Sequence, residues 1–133
     1  MVKRLRVISG MYKGRYLSKQ AEHVRPTQEK VRAALFSMLL QHIDFESSEF
    51  IDLFAGSGII GIEAISRGFR SCQFFEKNKT QVNHLKSNVT KLGITSAKII
   101  QKDLRNGFTS QLCNPVIFMD PPYDMYTDEL FLS

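Results

Sequence analysis

The stretch FIDLFAGSGIIGIEAISRG, residues 50 to 68, decides the fold. EFIDLFAG, residues 49 to 56, reads as a buried strand, and IIGIEAISRG, residues 59 to 68, as a helix closed by Gly68. Between them Gly56, Ser57, Gly58, Ile59, Ile60 and Gly61 form a GxGxxG that opens the helix. Strand, glycine turn and helix in that order match a nucleotide-binding turn. The glycines let the backbone approach a ligand, and the helix N-terminus offers free N–H groups.

Outward from that unit the same alternation continues. SCQFFE (71 to 76) reads as a second strand, followed by a helix with Val82, Leu85, Val89 and Leu92 on one face and Gly93 as its stop. AKIIQ (97 to 101) and NPVIFMD (114 to 120) read as third and fourth strands. Short apolar strands alternating with helices predict βαβ units and a parallel sheet, an α/β fold. Upstream, LRVIS and GRYLS flank Gly10 and Gly14 and predict a two-stranded β ribbon. Arg25, Pro26 and Thr27 read as a breaker and N-cap before a helix with Val31, Leu35, Met38 and Leu39 at helical spacing.

Composition limits the function classes. The 133 residues suit one domain, and 43% hydrophobic with 23% charged residues suits a soluble globular chain. No apolar run approaches the roughly 18 residues that a bilayer span needs. The basic start MVKRLRVISG has no apolar block after it, so a cytoplasmic location with neither signal peptide nor anchor is the expectation. Cys72 and Cys113 stand apart, with no His or Cys at metal-ligand spacing, so both read as free thiols and no metal site is expected. Net charge is +5, concentrated in residues 1 to 32, where nine Lys and Arg face only Glu22 and Glu29. Such a cluster, including Lys3, Arg4, Arg6, Lys13 and Arg15, suits either a phosphate backbone or a solvated basic surface.

The strand ends carry the candidate chemistry, because ligands of parallel sheets sit outside the carboxyl ends of the strands. Glu76 closes the second strand, where it can accept hydrogen bonds from ribose hydroxyls or stand solvated. Asp103 follows the third strand and either contacts an adenine edge or caps a short helix. NAD and S-adenosylmethionine both fit such a site. Asp52, four residues ahead of Gly56, favours the latter, since a carboxylate suits its cationic amino-acid portion and disfavours a pyrophosphate. The fourth strand then runs into Asp120, Pro121, Pro122 and Tyr123.

That tetrapeptide resembles the DPPY motif of methyltransferases acting on exocyclic amino groups of bases. A delocalised amine is a poor nucleophile. A carboxylate and the carbonyl of the first proline, both accepting from the NH2, draw its lone pair out of conjugation. The prolines hold these acceptors stiffly, and Tyr123 offers a face on which an extruded base can stack. Further blocks accompany it: RVISGMYKGRYL, RPTQEKVRAALFSML, FIDLFAGSGIIGIEAISRG, FFEKN and LKSNV. Together they resemble the RsmD family of small-subunit ribosomal RNA guanine-N2 methyltransferases.

The resemblance implies a Rossmann-like class I methyltransferase sheet with helices on both faces. It implies a basic N-terminal β-hairpin arm over residues 1–24 ahead of a methyltransferase core over 25–133, effectively one domain. S-adenosylmethionine is the implied cofactor, with Asp52, Phe54, Gly56, Ser57, Gly58, Glu76, Lys77, Asp103 and Leu104 on the cofactor positions. Asp120, Pro121, Pro122 and Tyr123 fall on the catalytic loop, and Arg25, Pro26 and Thr27 near the substrate entrance. The implied substrate is 16S ribosomal RNA in an assembling small subunit. A non-catalytic RNA-binding form, or an amino-methyltransferase acting on DNA adenine, is the alternative. Ala33 departs from the Glu usual in the family at that position, and the chain ends ten residues after Tyr123. The expectation is therefore that the family's C-terminal strands are missing, leaving the fourth strand an edge able to pair with another copy.

Overall fold

The computed structural model describes residues 4–18, 26–109, 112 and 114–120, with residues 26 and 27 by backbone alone. Its elements in chain order are α1 (Pro26–Leu40), β1 (Glu49–Asp52), α2 (Ile59–Ser66), β2 (Ser71–Glu76), α3 (Lys79–Leu92), β3 (Ala97–Gln101) and β4 (Pro115–Phe118). Short 3-10 turns cover Phe45–Ser47 and Leu104–Asn106. The strands form one parallel sheet in the order β3-β2-β1-β4. Register places Asp52 beside Phe74 of β2 on one side and Phe118 of β4 on the other. Among the described residues β1 is the sole partner of β4.

Helix limits follow local chemistry. The Asn78 side chain accepts from Gln81 N at 3.0 Å and caps α3. Gly93, in the left-handed region at φ 71°, ends it as the sequence predicts. Val82, Leu85 and Leu92 are buried along α3, with Val89 half-buried.

Residues of α1, α2 and α3 meet one face of the sheet in a single cluster around Phe36, Phe50, Ile62, Phe74 and Leu85. Phe69 stacks on Phe45 with ring centroids 4.2 Å apart and meets Phe50 edge-on at 5.1 Å. Burying each such ring is worth roughly 1.5–3 kcal/mol. The opposite face carries a smaller cluster of Ile51, Leu53, Phe75 and Leu104, with Phe108 and Leu112 against it. The strand period of two divides these sets: Phe50 faces one way, Ile51 the other.

Three expectations change. α1 begins at Pro26, so Thr27 lies within its first turn and does not cap it. The inward face of α1 is rotated from the expected one: Leu35 and Leu39 pack against the core as predicted, Arg32 and Phe36 are buried with them, and Val31 and Met38 are 68% and 54% exposed. The N-terminal ribbon has one antiparallel bridge, Arg6 with Tyr16, instead of two regular strands. It is held by burial. Val7 and Leu17 are both 1% exposed within the main core.

Candidate cofactor and catalytic site

β1 delivers Asp52 to the carboxyl edge of the sheet, and the chain turns over that edge into α2. In the turn, Gly58 N donates to Ala55 O at 2.8 Å, and Gly56 N donates to Glu76 Oε1 at 3.0 Å. Gly58 caps α2 with φ 86°, and a Cβ there would overlap Leu85. Both constraints require glycine. A Cβ on Gly61 would meet the Phe74 ring and, at 2.7 Å, Cys72 Sγ, so this glycine sets how closely α2 lies on β2. At Gly56 the same position is open, with no atom within 4 Å. Backbone is thus bared to a ligand where the fingerprint predicts it.

Three carboxylates gather around this turn. Asp52 is 1% exposed, and its Oδ2 has no hydrogen-bond partner among the described residues. Burial pushes its carboxyl up to about 7, helped by Glu76 and Asp120 and opposed by the N–H groups of Gly61 and Phe54. Glu76 ties the turn together by accepting from Gly56 N through Oε1 and from Asn78 N, at 2.8 Å, through Oε2. Each oxygen retains a lone pair. Asp120 stands exposed beyond β4, two residues past Phe118, the strand partner of Asp52. An orphaned buried carboxylate oxygen with two further carboxylates nearby suits a cationic ligand and repels an anionic one. The donor set and the open backbone at Gly56 therefore fit S-adenosylmethionine.

On the β3 side, a groove of about 470 Å³ is lined by Lys77, Asn78, Gln101, Lys102 and Asp103. Asp103 caps the 3-10 turn by accepting from Arg105 N, and the Arg105 guanidinium binds the same carboxylate, with Nη2 to Oδ2 at 2.8 Å. Those contacts lower its carboxyl to about 2. The capping alternative is thus realised, with the carboxylate still bordering the groove. The Leu104 side chain is buried in the second core cluster, so its backbone is what it offers a ligand. Phe54 packs partly against that cluster, and Ser57 is buried with its Oγ accepting from Ile59 N at 3.3 Å.

Across the glycine turn lies a second cavity of about 440 Å³, bounded by Leu5, Val31, Arg32, Ser57, Phe118 and Asp120. Its walls come from the hairpin, α1, the α2 turn and β4. The sequence does not separate this wall of α1 from its core face. Val31 and Leu35 line the cavity, and Leu35 also packs against the core.

The basic candidates divide. Arg4 donates to Leu17 O and lies over the Tyr16 ring, and Arg6 pairs with Glu29 at 3.1 Å. Arg4 is thus committed within the hairpin, and Arg6 ties the hairpin to α1. Lys13 and Arg15 are exposed. Lys3, Arg25, Pro121, Pro122 and Tyr123 lie outside the described residues, and so do the side chains of Pro26 and Thr27. Cys72 is a buried free thiol. Among the described residues no helix is long and apolar enough to cross a membrane.

Sequence reading passed over Glu63. It is fully buried in α2 and pairs with Arg32 at 3.2 Å and Arg67 at 2.8 Å. The available signal was a lone acid inside IIGIEAIS, where burial demands a cationic partner.

Sheet order, glycine turn and acidic strand ends define the class: a Rossmann-like, S-adenosylmethionine-dependent methyltransferase fold. Within that class, the family described as conserved hypothetical protein 95 matches residues 5–131, and the chain belongs to it, the RsmD family whose motifs it carries. It is 36% identical over 135 residues to ribosomal RNA small subunit methyltransferase D of Haemophilus influenzae, covering 97% of this chain and 69% of the relative. The same-named protein of Buchnera aphidicola (strain APS) is 38% identical over 120 residues, covering 88% of this chain and 62% of the relative. A solved structure of a hypothetical protein from Thermus thermophilus superposes with a TM-score of 0.77 at 32% identity, covering 96% of this chain and 74% of that one.

Proposed function

We propose that this chain transfers a methyl group from S-adenosylmethionine to the exocyclic N2 amine of a guanine in 16S ribosomal RNA, within an assembling small subunit. The observation that carries the reading is the placement of Asp120. It stands at the end of β4, beside β1, on the rim of the cavity that faces the acidic cofactor side across the glycine turn. The names of the relatives agree with an RNA substrate.

In this reading Asp52, Phe54, Gly56, Ser57, Gly58, Glu76, Lys77, Asp103 and Leu104 hold the cofactor. Asp52 faces its cationic portion, and Glu76 accepts ribose hydroxyls through its remaining lone pairs. Bound there, S-adenosylmethionine supplies an electrophilic methyl carbon on a sulfonium. The Asp120 carboxylate and the Pro121 carbonyl accept from the two N–H groups of the amine and turn its lone pair outward. Pro122 keeps the loop stiff, and Tyr123 stacks on the extruded base. The surplus proton on nitrogen passes to Asp120 or to water. The basic arm over residues 1–24, in which Lys13 and Arg15 are exposed, steers the RNA backbone toward the entrance formed with Arg25, Pro26 and Thr27.

Labelled methyl transfer to small subunits lacking the modification tests this reading. Asp120→Ala lowers transfer by roughly 10²- to 10³-fold while S-adenosylmethionine affinity holds. Transfer that survives the substitution removes Asp120 from the mechanism. Labelling of adenine in DNA, with none in the subunit, assigns a different substrate.

A further inference from the structure

The hairpin contributes Leu5 to the cavity that Asp120 borders, and its arms are joined to each other by a short ladder, with Val7 N donating to Arg15 O at 2.9 Å and Leu17 N to Leu5 O at 2.8 Å. Burial of Val7 and Leu17 seats it on the core, and polar contacts orient it: Ser66 and Asn88 take the amides of Tyr12 and Ser18, and a single carboxylate takes two successive amides at Ile8 and Ser9. Glu63 Oε1 accepts from Ile8 N at 2.9 Å and meets Arg32 Nε at 3.2 Å. Glu63 Oε2 accepts from Ser9 N at 3.1 Å and from Arg67 Nε at 2.8 Å. Arg32, 3% exposed, also donates through Nη2 to Arg6 O at 2.6 Å and lines the cavity from α1. Arg67 lies over the Phe36 ring at 5.1 Å and is held there.

One anion with two cations, desolvated together, is a poor source of stability, because the cost of removing the charges from water offsets most of their attraction. Burial lowers the Arg32 guanidinium below its ordinary range despite Glu63. What such a cluster does supply is directional bonding to the hairpin backbone, from Glu63 to two amides and from Arg32 to one carbonyl, with the Arg32–Glu63 ion pair joining the two. The network takes hold of the hairpin backbone at Arg6, Ile8 and Ser9, and ties it to the α1 side chain that forms a wall of the cavity.

We infer that Glu63, acting with Arg32, is a positioning residue: it fixes the basic hairpin against the wall of the Asp120 cavity and so sets where the RNA strand bearing the target base crosses into it. The inference rests on the RNA methyltransferase reading. Neither residue touches the reacting atoms.

Two variants of the full chain test it. Glu63→Gln leaves Arg32 buried beside a neutral amide. Glu63→Leu with Arg32→Met removes both charges while keeping apolar volume, a replacement that buried ion pairs tolerate. In both, the amides of Ile8 and Ser9 lose hydrogen-exchange protection while those of β1, β2 and β3 keep theirs. Methyl transfer to small subunits shows KM raised about tenfold or more, with kcat much less changed and S-adenosylmethionine affinity unaltered. Unchanged protection at Ile8 and Ser9 overturns the inference, and so does lost protection with an unchanged KM, which would leave Glu63 purely structural. If the unmodified protein transfers no methyl group to small subunits, the proposed function itself falls. The inference is then judged by direct binding of small-subunit RNA, where affinity weakened about tenfold supports it and unchanged affinity overturns it.

Discussion

The hairpin and β4 border the same cavity from different sides and are held in opposite ways. The hairpin has a minimal ladder, but Val7 and Leu17 are sunk in the core, and its backbone is gripped by side chains of α2 and α3. β4 has a regular parallel ladder to β1, while Ile117 and Met119 are 53% and 49% exposed. The first wall rests mainly on buried and capping side chains, and the second on its ladder, with Val116 and Phe118 half-buried against the core. The first is therefore vulnerable to single substitutions that the second tolerates, although only the second carries Asp120.

Leu17→Ala is the strongest way to break that contrast. It is expected to cost about 2–5 kcal/mol in urea or guanidinium unfolding, as buried leucines do. A smaller loss than that from an exposed position on β4 would invert the comparison.

Next comes Asp52→Asn, at the junction where the β1–β4 ladder meets the glycine turn. With a folded carboxyl pushed up to about 7 from 3.8, the native state keeps its proton while the unfolded chain releases one. Stability from this group is fully present below pH 4, falls as pH rises from about 4 to 7, and stays low above that. The Asn variant should lack this fall and be roughly 2–4 kcal/mol more stable than the parent at pH 8, with little difference at pH 4. Matched unfolding curves at the two pH values decide the point. A parent curve as steep after the substitution as before would assign the titration elsewhere.

Gly58→Ala should be smaller, costing about 1–3 kcal/mol for an alanine forced to positive φ against Leu85. It should weaken S-adenosylmethionine binding in calorimetry as the turn shifts. Ile117→Ala is the smallest effect expected, within about 0.5 kcal/mol, since its side chain is half in water. A Tm drop as large as that of Leu17→Ala would show that the exposed face of β4 is covered in solution.

The central unit was legible because its constraints are local. Period-two strands, a glycine turn and Gly93 as a stop each leave a mark within a few residues. α1 was harder, because its apolar residues serve two surfaces at once. Val31 lines the cavity, Leu39 packs on the core and Leu35 touches both, so spacing alone merged them into one face. Arg32 looked like surface charge for the same reason that Glu63 went unremarked. Their partner residues lie 31 positions apart, a separation that no local pattern encodes. The way the basic ribbon is attached was not legible. Val7 and Leu17 alternate with Arg6 and Tyr16, and that short alternation cannot say which element receives the buried side. Asp103 was left open between two roles, and the arginine two positions later settles its capping contact.

The close seat of Gly61 over Cys72 gives the molecule an internal clock. The thiol is almost wholly enclosed beneath α2, and burial pushes its ionisation far up, so a reagent in solvent reaches it only when the packing around it opens. The rate at which Cys72 is alkylated thus tracks how often it is uncovered. A ligand that settles on the glycine turn, and thereby clamps the start of the same helix, should slow the count in proportion to its occupancy.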